Sequence, residues 1–166
     1  MLRLILTACL TLALGSARAG DLPPRSGPVV LTVTGLDPVR FPGGQIEFDI
    51  AMLRGLDASR ITTSSIWTEG SHTYTGVMLN QLAAEMGAGG SNLMLHALND
   101  YSVEIPAAEL TDAAPLLAYE VDGALMSVRD KGPLWVIYPF DAGEEFRTDT
   151  TFSRSIWQLD RIDVLR

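Results

Sequence analysis

The sequence predicts an α+β domain in which a mixed β-sheet carries few, short helices. Short segments rich in β-branched and aromatic side chains recur along the chain, separated by glycine, proline and aspartate. Helical spacing is confined to Ala51–Leu56 and Val77–Met86. The chain has no internal repeats or low-complexity segments, which excludes solenoid and fibrous classes.

Residues 1–19 have the pattern of a signal peptide. A basic residue precedes an apolar run from Leu4 to Leu14, and Ala17–Ala19 matches a small-residue cleavage site. Cys9 also resembles the acceptor of a lipoprotein signal, but the apolar run continues past it, so we favour cleavage after residue 19. We therefore expect a periplasmic protein without a thiol, because Cys9 is the one cysteine in the sequence.

Length and charge narrow the possible partners. Removal of residues 1–19 leaves about 147 residues, the size of one domain with one core. The full sequence has a net charge of −8, which loss of the two leader arginines lowers to about −10. Such acidity makes nucleic acid and anionic lipid poor candidate partners. No later apolar run reaches the ~20 residues of a membrane span, so we expect no spanning segment.

The first half of the domain is expected to follow a loose lead-in. Residues 20–28 contain prolines and glycines and little apolar content, so the domain is placed at residues 29–166. The elements predicted in order are strands at Val29–Thr34 and Ile46–Ile50, a helix at Ala51–Leu56, an extended segment at Arg60–Trp67, and a helix at Val77–Met86 that packs on a sheet.

The second half is predicted to consist of strands. Asp122-Gly123 is typical of a tight turn after one of them. Alternation of apolar and charged residues in the last strand indicates an edge position. The predicted strands are Asn92–Leu98, Ser102–Ile105, Leu116–Val121, Leu134–Tyr138 and Leu159–Leu165.

Asn99, Asp100 and Tyr101 form a dense polar and aromatic group between two predicted strands. Strand ends are where ligand sites commonly gather. An Asx-type turn, in which the Asp100 carboxylate bonds local backbone amides, explains the same residues. Both interpretations stay open from the local sequence.

Two further segments carry scarce cations. Arg129 and Lys131 lie in a charged turn, which is ordinary hairpin chemistry or a local site for an anionic or carbonyl-rich ligand. Arg154, Ser155 and Trp157 precede the last strand. Trp157 is expected to anchor packing in the core more often than to contact a ligand.

Trp67, Glu69 and His72 end an extended run and begin a polar segment that contains glycine. A stacking role and a lid-anchoring role are equally consistent with Trp67. His72 and His96 lack the spacing of a zinc site, so we assign no metal. The sequence contains no GxSxG, P-loop, GxGxxG or HExxH motif.

Four segments, in order and spacing, resemble the oxidoreductase molybdopterin-binding domain, the fold of sulfite oxidase and its relatives. They are SSIWTEGSHTYTGVMLNQL, LNDYSVEIP, VRDKGPLWVIYPFD and SRSIWQLDRIDV, and the resemblance runs from about Val29 to Leu165. In that family a cysteine thiolate ligates molybdenum on the extended segment that here carries Ser64 and Ser65. A serine hydroxyl gives up its proton far less readily than a thiol, which weakens the enzymatic interpretation.

The cysteine-free single domain looks like the periplasmic pterin-binding regulators of membrane-bound diguanylate cyclase and phosphodiesterase receptors. This resemblance implies a non-catalytic protein that binds a reduced pterin and regulates cyclic di-GMP signalling. The alternative is a periplasmic oxidoreductase that depends on a molybdenum cofactor, in which case the pterin is molybdopterin.

The resemblance also directs the candidate residues toward a pterin. Asp100 is expected to accept two hydrogen bonds from the pyrimidine edge, and Trp67 or Tyr101 to stack on the ring. Cationic side chains are expected to donate to the ring carbonyl or, for molybdopterin, to its phosphate. These cations are Arg129, Lys131 and Arg154, and a second group of pocket residues comprises Glu69, His72, Asn99, Ser155 and Trp157.

Overall fold

The computed structural model describes residues 22–165, which form two five-stranded β-sheets and three short α-helices. The predicted signal peptide, Cys9 and residues 20–21 lie outside the described residues. In chain order the elements are β1 (Leu31–Thr34), β2 (Ile46–Phe48), α1 (Ile50–Arg54), β3 (Ser59–Ser65), β4 (Thr68–Met78), α2 (Leu79–Glu85), β5 (Asn92–Ala97), β6 (Ser102–Ile105), β7 (Leu116–Val121), β8 (Ala124–Leu125), β9 (Trp135–Ile137), α3 (Asp149–Arg154) and β10 (Leu159–Leu165).

The first sheet has the strand order β2-β1-β10-β5-β6. β1 and β10 are parallel and the other pairs are antiparallel, so the predicted α+β class with a mixed sheet is confirmed. The prediction that Leu159–Leu165 is an edge strand is wrong, because β10 lies between β1 and β5. Its alternation arises because Leu159, Ile162 and Val164 are buried on one face, and it therefore reports the two faces of the strand and not its lateral neighbours.

The second sheet has the order β3-β4-β7-β8, and β9 pairs with β7 beside β8. All of its pairs are antiparallel. The turn predicted at Asp122-Gly123 is confirmed, since these two residues link β7 to β8 with φ angles of 49° and 80°. Two consecutive positive φ angles are typical of a two-residue hairpin turn.

β4 spans residues that the sequence predicts as a polar segment and as the first residues of a helix. Val77 and Met78 still pair with β7, so α2 begins at Leu79 and not at Val77. Gly76 is required within β4 at a shift in its register with β7. A Cβ atom there would lie 1.9 Å from the carbonyl oxygen of Leu117, so the strand approaches its neighbour too closely for a side chain.

Two helices begin at side-chain caps. Asp49 accepts a 2.8 Å bond from Met52 N, so α1 starts at Ile50, a residue that the sequence assigns to a strand. Thr148 accepts a 3.1 Å bond from Thr151 N and starts α3, a helix absent from the sequence predictions. Only Phe152 in α3 is a large apolar residue, so hydrophobic spacing gives no sign of this helix.

Asp49 also holds the segment that precedes β1. Its carboxylate accepts bonds of 2.6 Å from the backbone N–H groups of both Ser26 and Gly27. These bonds, with the one from Met52 N, lower the pKa of Asp49 to about 2. In the described part of the chain, no helix is long and apolar enough to cross a membrane.

The buried side chains form two clusters. The larger one includes Leu31, Leu79 and Val136 and draws its residues from both sheets, α1 and α2. The smaller one surrounds Trp135 and belongs to the second sheet. Trp67, in the turn between β3 and β4, packs against both clusters and therefore joins the two halves of the core.

Candidate functional site

A cleft of about 240 Å³ opens beside Trp67. Its walls come from the β3–β4 turn, the end of β5 with the following turn, α3, and the segment between α3 and β10. We call it the aromatic cleft, and its lining residues are Trp67, Ala97, Asn99, Tyr101, Phe152, Ser153, Ser155, Ile156 and Trp157.

The Trp67 indole is held by edge-to-face contacts with neighbouring rings. Its centroid lies 5.8 Å from that of Phe152 and 5.7 Å from that of Trp157, with interplanar angles of 90° and 70°. Trp135 and Phe140 pack on it at 5.9 and 6.1 Å. Such pairs fix ring orientation, so the cleft has a rigid aromatic wall.

Polar atoms gather where the β5–β6 turn meets α3. The Asn99 side-chain oxygen accepts from Tyr101 N at 3.2 Å, and the Tyr101 hydroxyl donates to the carbonyl oxygen of Ser153 at 2.9 Å. Tyr101 therefore bridges the turn and α3. The Ser155 hydroxyl donates to the carbonyl oxygen of Thr151 at 2.9 Å. The Asn99 amide carries both a donor and an acceptor for a ligand.

The structure brings five of the predicted site residues together. Trp67, Asn99, Tyr101, Ser155 and Trp157 all line the aromatic cleft. Trp157, expected mainly as a core residue, is half-buried at the cleft wall. Its backbone forms an isolated antiparallel β-bridge with Trp135.

The other candidate residues lie outside the cleft lining. Asp100 is exposed on the same turn as Asn99 and has a φ angle of 66°. Arg154 donates to the carbonyl oxygen of Glu104 at 3.2 Å and forms an ion pair with Glu109. Arg129 is exposed, and the Lys131 ammonium lies 5.5 Å from the centroid of the Trp135 ring.

His72 contacts both the β7–β8 turn and Glu69. His72 Nδ1 lies 2.6 Å from the Asp122 carboxylate, and its Nε2 lies 2.9 Å from the carbonyl oxygen of Glu69. The hydrogen bond to Asp122 raises the pKa of His72, and the same bond lowers the pKa of Asp122. This pair belongs to the second sheet and ties β4 to the hairpin turn.

Sequence reasoning misses the residues that α3 and its flanks contribute, chiefly Phe152, Ser153 and Ile156. Their common origin is a helix too polar and too short to recognise by periodicity. Thr148, followed by an acidic residue in the first turn, is the one local signal that indicates this helix start.

A second cleft, of about 170 Å³, lies on the other side of Phe152. We call it the serine cleft, and it is lined by Ser64, Ser65, Ile66, Phe140, Arg147 and Phe152. Its polar groups bond one another. Asp141 accepts from the Ser64 backbone N–H at 2.6 Å and from the Ser64 hydroxyl at 2.7 Å, and it forms an ion pair with Arg147.

The bonds from Ser64, followed by the bond and charge of Arg147, lower the pKa of Asp141. Arg147 also donates through Nε to the carbonyl oxygen of Phe140 at 2.7 Å. Ser64, Asp141 and Arg147 therefore form a closed group that ties β3 to the chain after β9.

The residues of the serine cleft do not fit a molybdenum centre. The Ser64 hydroxyl donates its proton to Asp141, and the hydroxyls of Ser65 and Thr68 share a hydrogen bond of 2.7 Å. A soft thiolate ligand is lacking there. Between residues 22 and 165, no three His, Cys, Asp or Glu side chains are placed to hold a metal ion.

The two sheets and three short helices form an α+β fold, the class that the sequence predicts. The chain is similar to the crystal structure of the sulfane dehydrogenase SoxCD from Paracoccus pantotrophus, with a TM-score of 0.56 and 16% sequence identity. The similarity covers 81% of this chain and 37% of that chain, so the protein spans little more than a third of the SoxCD length. No family model and no curated protein matches the sequence. The likeness shows the fold alone, and function has to be argued from the site.

Proposed function

We propose that this is a non-catalytic pterin-binding protein of the periplasm that regulates a membrane-bound cyclic di-GMP receptor. The aromatic cleft is the observation that carries the proposal. It combines rigid rings for stacking with an amide and hydroxyls grouped at one end, and a pterin presents a flat ring with a polar pyrimidine edge.

The size of the cleft favours a small ligand. Pockets for drug-sized ligands enclose roughly 300–1,000 Å³, and the aromatic cleft encloses about 240 Å³. A bicyclic pterin with a short substituent suits this volume better than molybdopterin with its third ring and phosphate. Arg154, a predicted phosphate partner, is already engaged by Glu109.

The turn between β5 and β6 would recognise the pyrimidine edge. Asn99 lines the cleft, and its amide can both donate to and accept from the ring. The Asp100 carboxylate lies on the same turn and keeps its predicted role as acceptor of two hydrogen bonds.

Molybdenum-dependent oxidoreduction is the second candidate function. The similarity to a sulfane dehydrogenase favours it. The hydrogen bond from the Ser64 hydroxyl to Asp141 argues against it, because Ser64 lies on the segment where the resemblance implies the metal ligand. The periplasmic location and the receptor partner rest on the leader pattern and on the sequence resemblance.

Mass spectrometry with elemental analysis tests the two candidates on protein purified from its native source. We expect about one reduced pterin per chain and no molybdenum. Stoichiometric molybdenum would overturn the binding proposal in favour of an oxidoreductase.

Substitutions on the turn test the recognition mode. We expect Asp100→Ala to lose roughly tenfold or more in affinity for tetrahydrobiopterin, because a charge-assisted bond is removed, and Asn99→Ala to lose about fivefold. Asp57→Ala, an exposed aspartate just before β3, serves as the matched control. Unchanged affinity in both turn variants, measured by calorimetry on folded protein, would remove the turn from the site.

A further inference from the structure

Exposed apolar side chains surround the charged turn that follows β8. Leu98, Leu125 and Val128 are 51%, 52% and 50% exposed. Arg129 follows Val128 directly in the sequence, and Lys131 comes after Asp130. We call these five residues the docking surface.

Gln158 holds the two loops of this surface together. Its carbonyl oxygen accepts from Leu98 N at 3.0 Å, and its side-chain amide donates to the carbonyl oxygen of Val128 at 2.8 Å. Its own N–H donates to the carbonyl oxygen of Lys131 at 3.0 Å. The apolar side chains and the cations therefore belong to neighbouring backbone segments.

The cations of this surface take part in no ion pair with a carboxylate of the described chain. Elsewhere in residues 22–165, five arginines form such pairs, namely Arg25, Arg54, Arg147, Arg154 and Arg161. Arg129 and Lys131 take part in none of these pairs. Asp130 between them accepts from the Ser127 hydroxyl at 2.6 Å. Arg129 and Lys131 therefore place two cations one residue apart on an otherwise acidic chain of net charge −8.

We propose that this surface binds a protein partner that presents carboxylates among apolar side chains, and that its affinity responds to the aromatic cleft. The proposed change in partner affinity rests on the proposed function, whereas the binding of the partner itself does not. Arginine within apolar surroundings is typical of the residues that dominate binding energy at protein interfaces. Carboxylates on the partner supply the charges that the chain does not.

An anionic membrane fits this surface less well. A basic side chain near such a membrane contributes about 1 kcal/mol, so two of them cannot offset the repulsion of a chain with net charge −8. A protein surface needs only local complementarity, because repulsion between distant exposed charges is screened by salt.

Gln158 also provides the link to the cleft. It follows Trp157, which forms part of the cleft wall. Its φ angle is 54°, a conformation that residues other than glycine rarely adopt and that its bonds to both loops hold in place. A ligand bound against Trp157 therefore acts directly beside the residue on which both halves of the docking surface rest.

Site-specific photocrosslinking in the native host tests the surface. A benzophenone amino acid at position 128 should capture one protein, with the cross-linked peptide rich in Asp or Glu. The same group at Val39, 93% exposed in the loop after β1, should not capture it. Arg129→Glu with Lys131→Glu should reduce the yield at least tenfold. Arg60→Glu, a reversal at another exposed arginine, should leave it unchanged.

Other results would overturn the docking proposal. These are capture of lipid or of a second copy of the chain, no product at position 128, equal capture at Val39, or a yield insensitive to the charge reversal.

Binding of tetrahydrobiopterin, measured on the same variants, separates the two proposals. A wild-type protein that cross-links as expected but binds no pterin would refute the proposed function and leave the docking surface standing. A cross-linking yield unchanged by saturating pterin would refute the response through Gln158.

Discussion

The two clefts on either side of Phe152 share a wall but differ in what their polar groups do. In the serine cleft, the Ser64 hydroxyl and the Arg147 guanidinium are both bonded to Asp141. In the aromatic cleft, the Tyr101 and Ser155 hydroxyls donate to backbone carbonyls, but among the described residues the side-chain nitrogen of Asn99 makes no such bond. A group already bonded within the protein has to break that bond before it can bind a ligand, which costs the binding energy it would provide.

The polar groups of the serine cleft therefore hold strands together, whereas the aromatic cleft leaves the side-chain nitrogen of Asn99 unbonded among the described residues. Where the sequence resemblance expects a thiolate, this chain has a serine bound to Asp141, and the closed group there serves to join strands. The neighbouring cleft keeps an aromatic wall with polar groups at its mouth.

Trp67→Ala should have the largest effect, because this side chain packs against both core clusters and lines the aromatic cleft. Truncation of a large aromatic residue in a core costs about 3 kcal/mol or more in free energy of unfolding. Urea unfolding followed by circular dichroism measures the loss. Trp67→Phe should keep most of the stability, and an alanine variant as stable as wild type would show that the two clusters do not depend on Trp67.

Asp141→Asn should lower the urea midpoint and leave pterin affinity in the aromatic cleft unchanged. The substitution removes the charge that Arg147 neutralises and one acceptor for Ser64. Asp57→Asn provides the control for loss of an exposed carboxylate. A large loss of pterin affinity would show that the two clefts are not independent.

The pH dependence of stability should have opposite signs at two sites. Asp141 has a pKa below its ordinary value of 3.8, so its contribution is present above that value and is lost as pH falls through the folded pKa. His72 has a pKa above 6.5, so its contribution is present below that value and is lost as pH rises through the folded pKa.

Urea midpoints of Asp141→Asn and His72→Gln across pH 3 to 9 check these signs. The difference between Asp141→Asn and wild type should shrink toward acid, and the difference for His72→Gln should shrink toward alkali. A deficit of Asp141→Asn that grows on acidification would contradict the first assignment.

Ser64→Cys should have the smallest effect. The thiol remains beside Asp141 and Arg147, and within residues 22–165 no three His, Cys, Asp or Glu side chains are placed to hold a metal ion. Elemental analysis of protein expressed with molybdate should therefore find no bound molybdenum. Stoichiometric metal would show that one thiolate is enough to restore a metal centre.

The sequence predicts strand boundaries correctly where the alternation of apolar and polar residues and the position of turn residues indicate the same limits. β6, β7 and β10 occupy their predicted residues, because each has one buried and one solvent face or lies between clear turns. β4 was not predictable, because its glycines and polar residues resemble a loop. Its need for Gly76 comes from the carbonyl of Leu117, a neighbour that only the fold provides.

The site was predictable in part, for the same reason. Trp67 and Tyr101 stand out by residue type and do line the cleft. Arg154 stands out as a rare cation, but its partner Glu109 lies 45 residues away in the sequence. The bond between Ser64 and Asp141 joins residues 77 positions apart, and no local pattern indicates it.

The central position of β10 also determines when the first sheet can be completed. β1 and β5 are not neighbours in the first sheet, and both pair with β10. Until residues 159–165 have been synthesised, each strand has one unpaired edge and the larger core cluster stays open to water. The domain therefore completes its fold only after these residues emerge. Long-range pairing of this kind is slow, so the chain stays incompletely folded until its last strand has paired with β1 and β5.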